Sequence, residues 1–208
     1  MYSTVIFDID GTIINTEQAV LGSLQKLLEK NYDRKMEQHE LAFVLGIPGT
    51  VSLGQLGIED IEHANKCWND LMSDYRHTIH VYEGFQQVFT NLREQSIVTG
   101  VVTSKTKKEF QDDFVPFGLS HFLPFVISAE DTELHKPHPE PLLKFLELSG
   151  VKADTSIYIG DTIYDYECAR DAGIDFGLAL WGCNQPDSIP AKYKFESPEE
   201  ILTLFDIS

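Results

Sequence analysis

The sequence has little cysteine, little positive charge and no long hydrophobic run, and each shortage excludes a class of protein. Its three cysteines, Cys67, Cys168 and Cys183, are odd in number, lie far apart and form no CxxC pair. They therefore indicate reduced thiols rather than a disulfide framework. No apolar stretch approaches the ~20 residues of a membrane-spanning helix, and the N-terminus lacks the basic-then-apolar layout of a secretion signal. We expect a cytoplasmic protein that does not enter membranes.

Positive charge is scarce along the whole chain. The sequence has 16 lysines and arginines and 33 aspartates and glutamates, which gives a formal net charge of −17. A field of this sign repels phosphate backbones, so we expect no nucleic-acid partner. The GxGxxG and GxxxxGK[ST] motifs are also absent, so neither dinucleotide nor P-loop chemistry has support. A small phosphorylated substrate would need a cation or a few well-placed lysines to hold it against this field.

Short apolar runs of the kind that form buried strands recur along the chain. With 208 residues, 42% of them hydrophobic, the chain is long enough to bury a core without disulfides. The runs are Thr4–Ile9, Ile97–Thr103, Phe122–Ile127, Ser156–Ile159 and Phe176–Leu180. Helical patterns fill the gaps after the second run. This alternation predicts an α/β fold with a Rossmann-like parallel sheet of about five strands, covered by helices on both faces.

Residues 16–81 break the alternation, because only helical periodicity is found there. Apolar stripes at helical spacing run through Val20–Leu28 and Ile61–Tyr75. A crossover between parallel strands needs only about a dozen residues, so this segment is too long to be a single connection. The pattern predicts a small all-helical subdomain over 16–81, inserted into a core formed by residues 1–15 and 82–208.

Two aspartates follow the first apolar run directly, in the segment Asp8–Thr12. Carboxylates at the end of a buried strand are costly unless they face an ion or a ligand. In open parallel sheets, ligand sites lie outside the carboxyl ends of the strands. A spacing of two sends Asp8 and Asp10 to the same side, and Gly11 permits a sharp turn. The segment therefore predicts a functional site at this strand end.

A second acidic pair follows the run Ser156–Ile159. Asp161 falls at the strand end, and Asp165 would project from the first turn of the next helix. Either aspartate could instead cap that helix or interact with its macrodipole. Together with the first pair, these carboxylates form an oxygen-only set of the kind that favours Mg²⁺.

Two further segments place positive charge and hydrogen-bond donors near the same sheet edge. Thr103, Ser104 and Lys105 end an apolar run where a helix begins, an arrangement suited to binding an anion. Lys136 opens a stiff, proline-rich segment and is restricted by Pro137. These residues predict a phosphate site beside the carboxylates.

The four segments resemble the ordered motifs of haloacid-dehalogenase-superfamily hydrolases. The matching segments are Asp8–Thr12, Val102–Lys105, Lys136–Pro137 and Gly160–Asp165. The helical segment between the first two resembles the small cap of that superfamily. Within it, the strings Lys136–Pro141 and Leu180–Gly182 are similar to those of phosphoglycolate phosphatases and related bacterial pyrophosphatases. The resemblance covers essentially the whole chain and implies a phosphatase.

The resemblance also implies roles for individual residues. Asp8 would be the nucleophile that accepts the phosphoryl group, and Asp10 would protonate the leaving group and then activate water. Thr103 would hydrogen-bond the phosphoryl group, and Lys136 would neutralise its charge. Such roles suit phosphoryl transfer, which is mostly positioning and charge neutralisation.

The implied metal is Mg²⁺, and the implied ligands come from the aspartates. They are Asp8, the backbone carbonyl of Asp10, Asp161 and Asp165, the last either as a direct ligand or behind one. Thr12, Ser104 and Lys105 complete the expected phosphate-binding group. Ser104 departs from the superfamily pattern, which commonly has asparagine there, as does Asn15, where aspartate is common. Neither departure removes a catalytic group.

Other functions remain open at this point. The same motifs support a phosphomutase that shuttles a phosphoryl group on a sugar phosphate. A haloacid dehalogenase is disfavoured because Asp10 is present. A noncatalytic phosphate-sensing protein would need neither the helical insertion nor the Asp8–Asp10 pair. We expect a small phosphorylated metabolite as the partner, and a monomer or a homodimer.

Overall fold

The computed structural model describes residues 2–205 and contains, within them, a six-stranded parallel sheet and a two-stranded ribbon. The strands in chain order are β1 (Thr4–Phe7), β2 (Ile14–Asn15), β3 (His80–Val81), β4 (Val98–Val102), β5 (Phe125–Ile127), β6 (Ser156–Gly160), β7 (Asp175–Ala179) and β8 (Tyr193–Phe195). The sheet has the order β5-β4-β1-β6-β7-β8, and β2 pairs with β3 in the ribbon. The predicted α/β fold is confirmed, with one strand more than the five apolar runs indicated.

Strand β1 lies at the centre of the sheet and is buried on both faces. It pairs in parallel register with β4 on one side and β6 on the other. Val5 and Phe7 pack into the core on one face, whereas Ile6 packs into the core on the other. Such two-sided burial is typical of a central parallel strand, and it explains the unbroken apolar run.

Helices cover both faces of the sheet. The α-helices are α1 (Glu17–Tyr32), α2 (Gln38–Leu41), α3 (Gly49–Gln55), α4 (Ile61–Met72), α5 (Phe85–Glu94), α6 (Lys107–Asp113), α7 (Glu140–Ser149) and α8 (Ile163–Ala172). Short 3-10 helices span Ala42–Val44, Ser73–Thr78, Val115–Phe117, Ser120–Phe122, Ala129–Asp131, Ala153–Thr155, Pro186–Ser188 and Pro198–Phe205. Helix α5 packs on one face, and α7 and α8 pack on the other. No helix within residues 2–205 combines the length and the apolarity that crossing a membrane requires.

Helices α1 to α4 lie between β2 and β3, and we call residues 16–79 the helical insertion. Its apolar side chains form a core cluster of their own, which includes Leu24, Leu53 and Trp68. The chain enters and leaves the insertion through the antiparallel ribbon, in which Ile14 pairs with Val81. The division into a core and a cap at residues 16 and 81 stays a prediction.

Candidate active site

The carboxyl ends of the adjacent strands β1 and β6 bring three aspartates together. One carboxylate oxygen from each of Asp8, Asp161 and Asp165 lies within 4.8 Å of the others, and all three residues are buried. Gly11 makes this approach possible: its backbone has a positive φ of 78°, and a Cβ at this position would overlap the Asp161 carboxylate. We call these three residues the carboxylate cluster.

Lys136 supplies positive charge inside the carboxylate cluster. Its Nζ atom donates hydrogen bonds to Asp8 Oδ1 at 2.8 Å and to Asp165 Oδ1 at 2.7 Å. The lysine is only 4% exposed, so both ion pairs are shielded from water. The other oxygen of Asp8, Oδ2, is buried and has no hydrogen-bond partner within the described residues.

One ammonium group does not balance three buried carboxylates. Burial raises the pKa of Asp8 to about 7; Lys136 opposes the rise, and Asp165 and Asp10 add to it. Burial, with Asp165 and Asp8 nearby, also raises the pKa of Asp161 well above its ordinary value. The all-oxygen donor set and the unpartnered Asp8 Oδ2 fit a hard divalent cation, which would supply the missing positive charge.

Asp165 both caps a helix and serves the cluster. Thr162 is the N-cap of α8, and its backbone N–H and its hydroxyl donate to Asp165 Oδ2 at 3.0 and 2.6 Å. The second oxygen, Oδ1, accepts from Lys136. The two interpretations that the sequence left open for Asp165 therefore hold together, one for each carboxylate oxygen.

Asp10 lies at the same strand end, but its carboxylate is not one of the three that form the carboxylate cluster. Its Oδ1 atom forms an ion pair with Lys105 Nζ at 3.0 Å. The cluster of side chains that could hold a metal therefore contains three of the four predicted aspartates.

The predicted phosphate-binding hydroxyls are largely engaged by the protein itself. Thr12 Oγ1 donates to Asp161 Oδ1 at 3.0 Å, and Ser104 Oγ donates to the carbonyl of Gly46 in the helical insertion at 2.9 Å. Thr103 Oγ1 accepts from the backbone N–H of Lys105 at 3.2 Å, and among residues 2–205 its hydroxyl proton has no acceptor. Of these three hydroxyls, that of Thr103 therefore has a proton that no described residue accepts, although Thr103 is buried and is not among the residues that line the cavity.

A cavity of about 630 Å³ opens between the sheet edge and the helical insertion. Asp8, Asp10 and Lys136 line its floor, and Ile47 and Trp68 of the insertion contribute to the opposite wall. The cavity is therefore large enough to hold a small molecule against Asp8, with the insertion forming part of its wall.

Tyr158 lies in the predicted strand Ser156–Ile159 and was expected only to pack in the buried sheet, yet its hydroxyl belongs to the site. The oxygen lies 2.9 Å from Asp165 Oδ1 and 3.0 Å from the Val102 carbonyl, two acceptors for its proton. It also accepts from Lys136 Nζ at 3.3 Å. A phenol in an otherwise aliphatic strand, three residues before Asp161, is the signal that could have revealed it.

The fold and the site together define a class of protein. A Rossmann-like parallel sheet that gathers three aspartates and a lysine at its carboxyl edge, beneath a helical insertion, defines an α/β protein with a ligand site at that edge. Residues 5–179 match the model of the haloacid dehalogenase-like hydrolase family. The chain belongs to this family.

Two curated relatives and one solved structure are similar over most of their length. A provisionally assigned pyrophosphatase PpaX from Caldanaerobacter subterraneus subsp. tengcongensis is 33% identical over 181 residues, which cover 86% of this chain and 82% of the relative. Pyrophosphatase PpaX from Halalkalibacterium halodurans is 28% identical over 216 residues, covering 99% and 97%. The crystal structure of a provisionally assigned phosphoglycolate phosphatase from Lactobacillus plantarum superimposes with a TM-score of 0.91 at 29% identity, covering 99% of this chain and all of that one.

Proposed function

We propose that the protein is a Mg²⁺-dependent phosphatase that hydrolyses a small phosphate monoester or pyrophosphate through an aspartyl-phosphate on Asp8. The proposal rests on the contacts of the Asp8 carboxylate. One of its oxygens is held by Lys136, and the other is unpartnered at the floor of the cavity. The relatives named as pyrophosphatases and as a phosphoglycolate phosphatase support the two substrate classes.

In the first half of the reaction, an Asp8 carboxylate oxygen attacks phosphorus. The bond from phosphorus to the leaving oxygen breaks, and its electron pair stays on that oxygen, which takes a proton from Asp10. Lys136 neutralises charge on the transferring group, and the Thr103 hydroxyl donates to one of its oxygens. Charge neutralisation and positioning are the main contributions a protein makes to phosphoryl transfer.

In the second half, the aspartyl-phosphate is hydrolysed. Asp10, now a carboxylate, takes a proton from water while the water oxygen attacks phosphorus. The bond from phosphorus to Asp8 breaks, its electron pair returns to the Asp8 carboxylate, and phosphate leaves. The helical insertion keeps bulk water out of the cavity during the first half, as lids over such sites commonly do.

The residues that would hold Mg²⁺ are Asp8, Asp161 and Asp165, together with the Asp10 carbonyl that the family resemblance implies. When bound, the cation supplies positive charge to the phosphoryl oxygens and balances the carboxylate cluster. Lys136 alone leaves that cluster with excess negative charge, so Asp165 and Asp10 add to the rise that burial causes in the pKa of Asp8.

The proposal is tested by phosphate release from a panel of phosphoesters and pyrophosphate, with Mg²⁺ and with EDTA. Asp8→Asn should abolish release, whereas Asp154→Asn, the same change at an exposed position, should leave it intact. Chelator-insensitive release, or turnover that survives Asp8→Asn, would overturn the proposal. A persistent phosphoenzyme without release would point to the noncatalytic alternative, and isomerisation of a sugar phosphate would point to a phosphomutase.

A further inference from the structure

A chain of ion pairs runs from Asp10 to the helical insertion. Lys105 Nζ lies 3.0 Å from Asp10 Oδ1 and 3.2 Å from Asp113 Oδ2. On its other side, Asp113 Oδ1 accepts a hydrogen bond from Arg76 Nε at 3.2 Å. Arg76 also donates from Nη2 to Asp112 Oδ2 at 3.0 Å. Alternating charges thus connect the expected acid–base residue to a residue of the insertion.

The middle of this chain is buried, so its members depend on one another. Lys105 and Asp113 are each only 7% exposed. Burial alone would lower the pKa of Lys105, but attraction by Asp10 and Asp113 outweighs burial and raises it. A buried charge that loses a partner is strongly destabilised, and the surrounding groups rearrange to compensate. Loss of the Arg76 contact would therefore shift Asp113, and through it Lys105.

The two ends of the chain belong to different parts of the molecule. Arg76 lies in the 3-10 helix Ser73–Thr78, at the end of the helical insertion, whereas Asp113 is the last residue of α6, beside the sheet. Both residues line the cavity above Asp8. The Arg76–Asp113 contact therefore requires the insertion to lie against α6, which is the arrangement that covers the cavity.

We propose that Arg76 is a positioning residue for Asp10. Arg76 holds Asp113, Asp113 holds Lys105, and Lys105 orients the Asp10 carboxyl group for proton transfer to the leaving oxygen. Because this role presupposes Asp10 as the proton donor, it depends on the function proposed above. It extends that function by assigning to the insertion a part in the chemistry as well as in covering the site.

The proposal predicts a dependence on the leaving group. An alkoxide is a strong base and leaves only if it is protonated as the ester bond breaks, whereas 4-nitrophenolate is a weak base and leaves without help. A misplaced Asp10 therefore slows the cleavage of an alkyl phosphate much more than that of 4-nitrophenyl phosphate. A purely structural defect slows both equally.

The experiment compares kcat/KM for these two substrates, since kcat/KM reports the steps up to cleavage of the ester bond. Arg76→Gln and Asp113→Asn should lower kcat/KM for the alkyl phosphate by at least about tenfold and change that for 4-nitrophenyl phosphate by less than about threefold. Arg76→Lys, which keeps one ion pair, should recover part of the loss. Lys108→Gln is the matched control, because Lys108 pairs with Asp112 on the same helix; it should leave the ratio unchanged.

The outcomes separate this proposal from the function on which it depends. If the wild type is active and Arg76→Gln has the same ratio of kcat/KM values for the two substrates, the positioning role is refuted and the proposed phosphatase function stands. If the wild type cleaves neither substrate, both proposals are refuted. If Asp113→Asn does not fold, Arg76→Gln and Arg76→Lys still decide the question, since the Arg76 side chain is 44% exposed and its replacement opens no buried cavity.

Discussion

At the residue scale, the protonation of Asp8 is strongly affected by its surroundings. Its pKa of about 7 has burial as the first cause, and the carboxylates of Asp165 and Asp10 raise it further. In an unfolded chain the same group has an ordinary value of 3.8. The folded, metal-free protein therefore holds a proton on Asp8 at pH values where the unfolded chain has released it.

This difference predicts a pH-dependent stability. In EDTA, the stabilisation from the Asp8 proton is complete below about pH 4 and is lost as pH rises to about 7, with a slope of up to about 1.4 kcal/mol per pH unit. Asp8→Asn removes this titration, so its free energy of unfolding should fall less between pH 5 and pH 8. Urea unfolding of both proteins measures the difference, and parallel pH profiles would contradict it. Added Mg²⁺ should stabilise the wild type more at pH 8 than at pH 5.

Tyr158 offers a second test, because its hydroxyl contacts two members of the site without lining the cavity. Tyr158→Phe keeps the buried ring but removes the hydrogen bonds to Asp165 and Lys136. We expect a stability loss of about 1 kcal/mol and a several-fold fall in kcat, with KM nearly unchanged. Steady-state kinetics and urea unfolding check both values. An unchanged kcat would mean that Asp165 and Lys136 keep their positions without the phenol.

The sequence could indicate some of these residues and not others for a physical reason. Asp8 and Asp161 directly follow apolar strands, and parallel strands bring their carboxyl ends to one edge. Arg76 carries no such positional signal, and the signal for Tyr158 is only a phenol within an apolar strand. Tyr158 resembles a core residue. The partners of Arg76 lie on α6, far from it in the sequence, and they contact Arg76 only because the insertion packs against that helix.

At the element scale, the strands marked by apolar runs were predicted, whereas three short strands outside those runs were missed. Helical periodicity over Tyr164–Ala172, followed by a glycine suited to a C-terminal cap, corresponds to α8, which ends at a left-handed Gly173. Strand β8 and the ribbon of β2 and β3 have three and two residues per strand. Alternation needs several residues to be detected, and unlike β5, which lies within the longer run Phe122–Ile127, these strands fall outside the apolar runs.

The loop that carries Gly46 is one place where the insertion contacts the sheet edge. Gly46 has a positive φ of 84°, its carbonyl accepts from Ser104, and a Cβ there would lie 2.8 Å from Thr162 Cγ2. Gly57, in the same insertion, also has a positive φ of 73° but has no atoms within 4 Å of such a Cβ. The two glycines therefore allow a matched comparison, because both have a left-handed backbone but only Gly46 lies against the sheet edge.

We expect Gly46→Ala to impair activity and Gly57→Ala to spare it. Both substitutions cost about 1–2 kcal/mol for a left-handed backbone, but only the Gly46 methyl group pushes the loop away from Thr162. Gly46→Ala should therefore raise KM several-fold beyond any change in Gly57→Ala, and kinetic assays at matched stability can resolve this. Equal KM values in the two variants would show that the loop contact has no part in substrate binding.

At the scale of the whole molecule, the net charge of −17 opposes the approach of an anionic substrate. Raising the salt concentration from about 10 to about 150 mM shortens the Debye length from about 30 to about 8 Å. We expect KM for a phosphate ester to fall over this range at constant Mg²⁺, with kcat unchanged, because Lys136 and the cluster are buried and less screened. A KM that rises with salt would show that local attraction outweighs the global field.

The overall fold was more predictable than the site because it depends on pattern rather than on precise contacts. Five apolar runs with helices between them are compatible with few topologies other than a parallel sheet covered on both faces. Where the insertion lies above the sheet depends on contacts such as Arg76–Asp113 and Ser104–Gly46, which join residues far apart in the sequence.

The β2–β3 ribbon has a consequence for protein engineering. Its paired strands hold the two ends of the insertion about 5 Å apart, with Ile14 opposite Val81 and Asn15 opposite His80. For the rest of the chain, the insertion is therefore topologically equivalent to a hairpin loop, whatever its internal structure. A foreign helical unit with closely spaced termini could be grafted between Asn15 and His80, which makes this ribbon a suitable junction for chimeras that exchange the insertion.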